Sequence, residues 1–107
     1  MRLLAALLSL GLSACATTSA GLYESDVEET FTSTRAPSTV ATCAADRMRG
    51  DTDVRNDGGH YWVVRKNTYG VPTARWDFYP AESGGTRIEL RQSIGINAGV
   101  GDVRACL

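Results

Sequence analysis

The spacing of apolar positions changes along this chain of 107 residues, and each change predicts an element. Leu3 to Leu12 is an almost unbroken apolar run, and Ala16 to Gly21 is small and polar with no period. Thr30-Phe31-Thr32-Ser33-Thr34 is rich in β-formers and is stopped by Arg35-Ala36-Pro37, which predicts a short strand. Pro37 suits a first helical turn, and Val40, Cys43, Ala44 and Met48 then recur at helical spacing until Gly50. Asp51 to Gly59 holds turn residues. It leads into a strand, Tyr61 to Lys66, and then a turn at Tyr69-Gly70-Val71-Pro72. Beyond it, Ala74, Trp76 and Phe78 alternate with Arg75, Asp77 and Tyr79, and after Ser83-Gly84-Gly85, Ile88 and Leu90 alternate with Arg87, Glu89 and Arg91. Val100, Val103 and Leu107 return to helical spacing, although Gly99 and Gly101 limit that helix to a short one. The expected fold is a small single α+β domain of order β-α-β-β-β-α, an antiparallel sheet with the Cys43 helix packed on one face.

Strict alternation implies one sheet face against the core and one in water. Trp76 and Phe78 belong to the core, where large aromatics contribute much of the buried area of a small domain, rather than to a sugar-stacking surface. One of Tyr61 and Trp62 must face away, and the pattern leaves open which. On the outward face Arg75, Arg87 and Arg91 fall beside Tyr79, a grouping able to hold an anion, a glycan or an anionic lipid. The competing reading pairs those arginines with Asp77 and Glu89 across strands, each pair contributing about 0.2–1 kcal/mol.

The apolar run is too short to span a bilayer, which takes about 20 residues. Preceded by Arg2 and followed by Leu12-Ser13-Ala14-Cys15, it resembles the signal segment and lipobox of a bacterial lipoprotein. The resemblance implies cleavage before Cys15 and acylation of that cysteine, palmitate among the acyl chains, so that residues 1–14 are signal peptide, 15–27 the lipidated Cys with a flexible tether, and 28–107 the domain. A tether of roughly ten residues has a mean reach of about 17 Å. With Ala16 rather than Asp after the cysteine, the resemblance implies the periplasmic face of the outer membrane. Together with the segment Arg35-Ala36-Pro37 before a Cys-bearing helix and the terminal Ala105-Cys106, the whole is similar to small lipoproteins of Gram-negative bacteria, a group that brings no activity, catalytic residues or cofactor with it. The alternative is cleavage as an ordinary secretory signal, which would release a soluble periplasmic inhibitor or carrier.

Export changes what the remaining cysteines can do. Cys43 and Cys106 allow one intramolecular pairing, and an oxidising compartment lets a disulfide persist. Redox pairs usually stand two residues apart, which favours a structural bridge. Removing residues 1–14 takes away Arg2 alone among the charged residues, so the mature chain is slightly acidic, without the basic stripe that nucleic acid requires.

Candidate chemistry is sparse. His60 is the only histidine, between a glycine pair and a strand start, and the chain carries no G-x-S-x-G or H-E-x-x-H. Asp51 to Gly58 superficially resembles a calcium loop, but Arg55 stands at the fifth position and Asn56 at the sixth, where an EF-hand needs an oxygen ligand and a glycine. The sequence reads as a non-enzymatic module with no cofactor or metal. Its expected partners are the membrane, through the anchor, and an envelope protein or polymer.

Overall fold

A computed structural model describes residues 18–48, 52–93 and 98–107; the lipobox-like segment with Cys15, and Gly50, lie outside them. The elements are α1 (Ser19–Tyr23), β1 (Glu29–Ser33), α2 (Pro37–Arg47), β2 (Thr52–Asp57), β3 (His60–Lys66), β4 (Pro72–Pro80), β5 (Thr86–Gln92) and α3 (Val100–Arg104). All strand pairs are antiparallel and the sheet order is β1-β5-β4-β3-β2. The class is α+β, as the pattern predicts, with two elements added.

The core forms where α2 and α3 cover the inner face of the sheet. Val40, Ala41 and Ala44 of α2 meet Val63, Ala74, Trp76, Phe78, Ile88 and Leu90, all buried, with Val103 and Cys106 closing the C-terminal side. Burying an aliphatic or Phe side chain of this kind stabilises by about 1.5–3 kcal/mol. The Trp76 indole N–H, which would be costly to bury alone, donates to the Ala98 carbonyl at 2.8 Å. Tyr61 packs against this core, so Trp62 is the residue that faces away.

A disulfide joins Cys43 to Cys106, with the Cα atoms 5.9 Å apart, and ties α2 to the segment after α3. The same corner is laced by Arg35 Nη1 donating to the Cys106 carbonyl at 2.8 Å and Ser33 Oγ donating to the Leu107 carbonyl at 3.1 Å. Gly85 makes the corner possible: a Cβ there would stand 2.2 Å from the Ser33 carbonyl oxygen.

Three expectations are corrected. Thr52 to Asp57 is an edge strand, not a turn; only Asp57-Gly58-Gly59-His60 turns, with Gly58 at a φ of 64° that suits glycine. The tether expected over 15–27 contains α1, whose Leu22 is 1% exposed and which packs on β4 and β5. The second sheet face is not left in water, because α1 and a set of paired charges cover it and Asp77 is fully buried.

Candidate functional site

The second face is built by alternation. Residues 75, 77 and 79 of β4 point away from Trp76 and Phe78, and the register sets Arg75 opposite Arg91, Asp77 opposite Glu89 and Tyr79 opposite Arg87. Two of these three pairs carry like charges, a destabilising arrangement if it were all. The charges are paired along the strands and on the diagonals instead. Arg75 grips Asp77 two residues on, with Nε 3.1 Å from both carboxylate oxygens and Nη2 3.0 Å from Oδ1. Arg91 Nη1 donates to Asp77 Oδ2 at 3.3 Å while its Nη2 lies 3.2 Å from Glu89 Oε1, and Arg87 Nη1 pairs with Glu89 Oε2. His60, entering from β3, completes the set by donating from Nε2 to Asp77 Oδ1 at 2.7 Å.

Aromatic rings roof these charges. Tyr23 of α1 lies beneath both guanidinium groups, Arg75 at 4.3 Å and Arg91 at 5.0 Å from the ring centroid, and a ring face attracts a cation by about 0.5–2 kcal/mol. The helix is fastened through its backbone as well, since Arg75 Nη1 donates to the Ser19 carbonyl and Arg91 Nε to the Ser25 carbonyl. Tyr79 stacks on His60 at 4.3 Å, carries Arg87 over its ring at 4.5 Å, and meets the Tyr23 hydroxyl at 3.0 Å. Burial first, then the Tyr23 hydroxyl and the Asp77 charge, hold the Tyr79 phenol protonated well above the ordinary tyrosine range.

Of the four residues expected to bind a ligand, the structure brings Arg75, Tyr79, Arg87 and Arg91 onto one face but commits them to one another. Arg75 is 7% exposed and Arg91 is nearly enclosed, so neither is free for an incoming anion; Arg87 alone stands half-exposed. The pairing with Asp77 and Glu89 does occur, although mainly along the strands rather than directly across them. His60 and Asp77 have the geometry of a base and its orienting carboxylate. Two arginines already neutralise that carboxylate, however, and a base of this kind depends on the carboxylate to stabilise the imidazolium. The group clasps α1, β3, β4 and β5 together.

Open surface begins on the β2–β3 side of the same face, where a cavity of about 300 Å³ is lined by Ser19, Asp53, Arg55, Trp62, Val64 and Lys66. Val64 forms a buried wall, Arg75 lies 4.9 Å from the Trp62 ring centroid, and Lys66 Nζ donates to Asp53 Oδ2 at 3.0 Å. Sequence reasoning missed this place because it took β2 for a turn. The alternation of Asp53, Arg55 and Asp57 is the signal that could have shown it.

Comparison with protein-family models, with curated proteins and with solved structures finds no match to this chain.

Proposed function

We propose that the protein is a lipid-anchored, non-enzymatic module of a Gram-negative cell envelope, acylated at Cys15 and held on the periplasmic face of the outer membrane, where it engages an envelope partner. The observation that carries the non-enzymatic reading is the saturation of Asp77 by Arg75, Arg91 and His60, which leaves the only histidine in a closed clasp. The lipobox-like Leu12-Ser13-Ala14-Cys15 supports the anchor, and the disulfide suits an oxidising compartment.

The position of α1 refines the anchor. Ser19 follows Cys15 by four residues, so the first docked residue lies at most roughly 14 Å from the acylated one at about 3.3–3.6 Å per residue. The module would therefore ride close to the headgroups rather than at the end of a long tether.

The test is the intact, non-reduced mass of the protein from membranes of its host, followed by crosslinking in intact cells. The proposal expects the mass of residues 15–107 plus acyl chains and less two hydrogens, and a discrete crosslinked species. An unacylated mass would make the chain a soluble inhibitor or carrier and overturn the anchor. An acylated protein with no crosslinked species would overturn the partner.

A further inference from the structure

We propose that the β2 edge of the sheet pairs antiparallel with the same edge of a second copy of this chain, Val54 facing Val54 across a two-fold axis. The pairing goes beyond the envelope role and needs no acylation of Cys15.

The edge is open to a further strand. β2 is an outer strand of the sheet, and its register with β3 runs unbroken from Thr52–Arg65 to Asp57–His60. The two-residue loop Gly58-Gly59 makes Asp57–His60 a hydrogen-bonded pair, and such pairs alternate along an antiparallel ladder. Asp53, Arg55 and Asp57 therefore direct their backbone groups to β3, whereas Thr52, Val54 and Asn56 direct theirs away from the sheet, ready to template another strand. Val54 is 43% exposed although Val63 opposite it is buried in the core, so the inner side of the edge is open as well.

Charge selects the occupant. A copy centred on Val54 sets Asp53 of each chain opposite Arg55 of the other on the outer face, Val54 against Val54 on the inner face, and Thr52 opposite Asn56. The Asp–Arg pairs fall at non-hydrogen-bonded sites, where side chains come closest, and Thr52, Val54 and Asn56 exchange about six backbone hydrogen bonds between the chains. Arg55 makes no ion pair among the described residues. Asp53 receives Lys66 on Oδ2 at 3.0 Å, but its side chain is 41% exposed and a carboxylate has lone pairs for a second donor.

Other two-fold registers are poorer. Centring on Asp53 opposes two carboxylates, and centring on Arg55 opposes two guanidinium groups and sets Asp53 against Asp57, both destabilising. Centring on Asn56 keeps Arg55–Asp57 pairs but shortens the ladder to residues 55–57 of each strand. The other outer strand, β1, reads Glu-Thr-Phe-Thr-Ser and has no basic residue to offer a copy of itself. Because the axis pairs β2 with itself, the contact closes at two copies.

The experiment sediments the full-length, non-reduced protein in density-matched detergent from about 1 to 500 μM, the range of a small transient interface. A reversible shift from one chain mass to two is expected. One chain mass throughout overturns the proposal, as does growth beyond two, which would bring in β1. Arg55→Asp and Asp53→Arg should each weaken the pair about tenfold or more, since symmetry turns both attractive pairs repulsive. Mixed in equal amounts, the two variants regain opposite charges across the axis and should dimerise within about threefold of wild type, which a purely structural role of either residue would not produce. Dimers of the single variants as tight as wild type, or a mixture that stays monomeric, overturn the proposal. Val54→Pro removes an outward N–H at an edge position that tolerates proline, and should abolish the dimer while the far-UV circular dichroism stays that of wild type; a persisting dimer overturns the edge. In crosslinking of intact cells, a species of twice the chain mass belongs to this pair and any other mass to the envelope partner, so either reading can fail alone.

Discussion

Asp77→Asn is the sharpest perturbation available, because it removes a charge from the centre of the clasp while keeping its shape. The wild-type carboxylate is fully buried and receives Arg75 through three contacts of 3.0–3.1 Å, Arg91 at 3.3 Å and His60 at 2.7 Å. The amide leaves the Arg75 guanidinium enclosed without a counter-charge and Arg91 with Glu89 alone at 3.2 Å, the circumstance in which breaking a buried pair costs about 3–5 kcal/mol. A small domain has about 5–15 kcal/mol in all, so the variant should sit near the edge of folding. With a urea slope of about 1–3 kcal/mol/M, the midpoint should fall by at least roughly 1 M, read by tryptophan fluorescence and far-UV circular dichroism with the disulfide kept oxidised. The companion variant Arg75→Met, Asp77→Leu, Arg91→Met should recover most of that loss, since apolar side chains of similar volume often replace a buried ion set at no cost. An Asp77→Asn midpoint within about 0.3 M of wild type, at unchanged slope, would refute the account of the clasp.

Leu22→Ala should cost about 2–5 kcal/mol and expose the segment around Tyr23 to rapid proteolysis, and an unchanged digestion rate would mean that α1 does not dock. Replacing Cys43 and Cys106 by Ala opens a loop of 63 residues and should lower unfolding free energy by about 4 kcal/mol in chemical denaturation. Tyr79 should give a tyrosinate absorbance step above the ordinary tyrosine pKa of about 10, and Tyr79→Phe should abolish it. Since folding raises that pKa, the associated stability is complete below about pH 10 and is lost as pH rises through the folded value, so alkaline unfolding should shift in the Phe variant.

What could be read from the sequence was what depends on period or on counting. α2 is legible because Val40, Ala44 and Met48 keep helical spacing under a Pro at the first turn, and the disulfide because two thiols remain once Cys15 is read as a lipidation site. β2 is not, because Thr-Asp-Val-Arg-Asn-Asp has the composition of a loop, and its strand geometry comes from pairing with β3 rather than from propensity. α1 is too short for periodicity to detect; its traces are Thr18, whose hydroxyl accepts from the Gly21 amide as a helix cap, and a Leu22-Tyr23 pair in a polar stretch. The clasp lies in between. Alternation placed Arg75, Tyr79, Arg87 and Arg91 on one face, but a hydrophobic pattern assigns a charged face to water and carries no sign that a tyrosine from a distant helix will roof it.

The place where α1 begins also sets how the protein would present itself. A boat on a long chain swings to any heading, whereas one made fast at the bow by a short line keeps the same side to the quay. Were Cys15 acylated, four residues before Ser19, the flank bearing Tyr23, Trp62 and the cavity beside it would be the side kept inward. The opposite flank, α2 and α3 stapled by Cys43–Cys106, would then face away from the membrane and be the surface open to a partner.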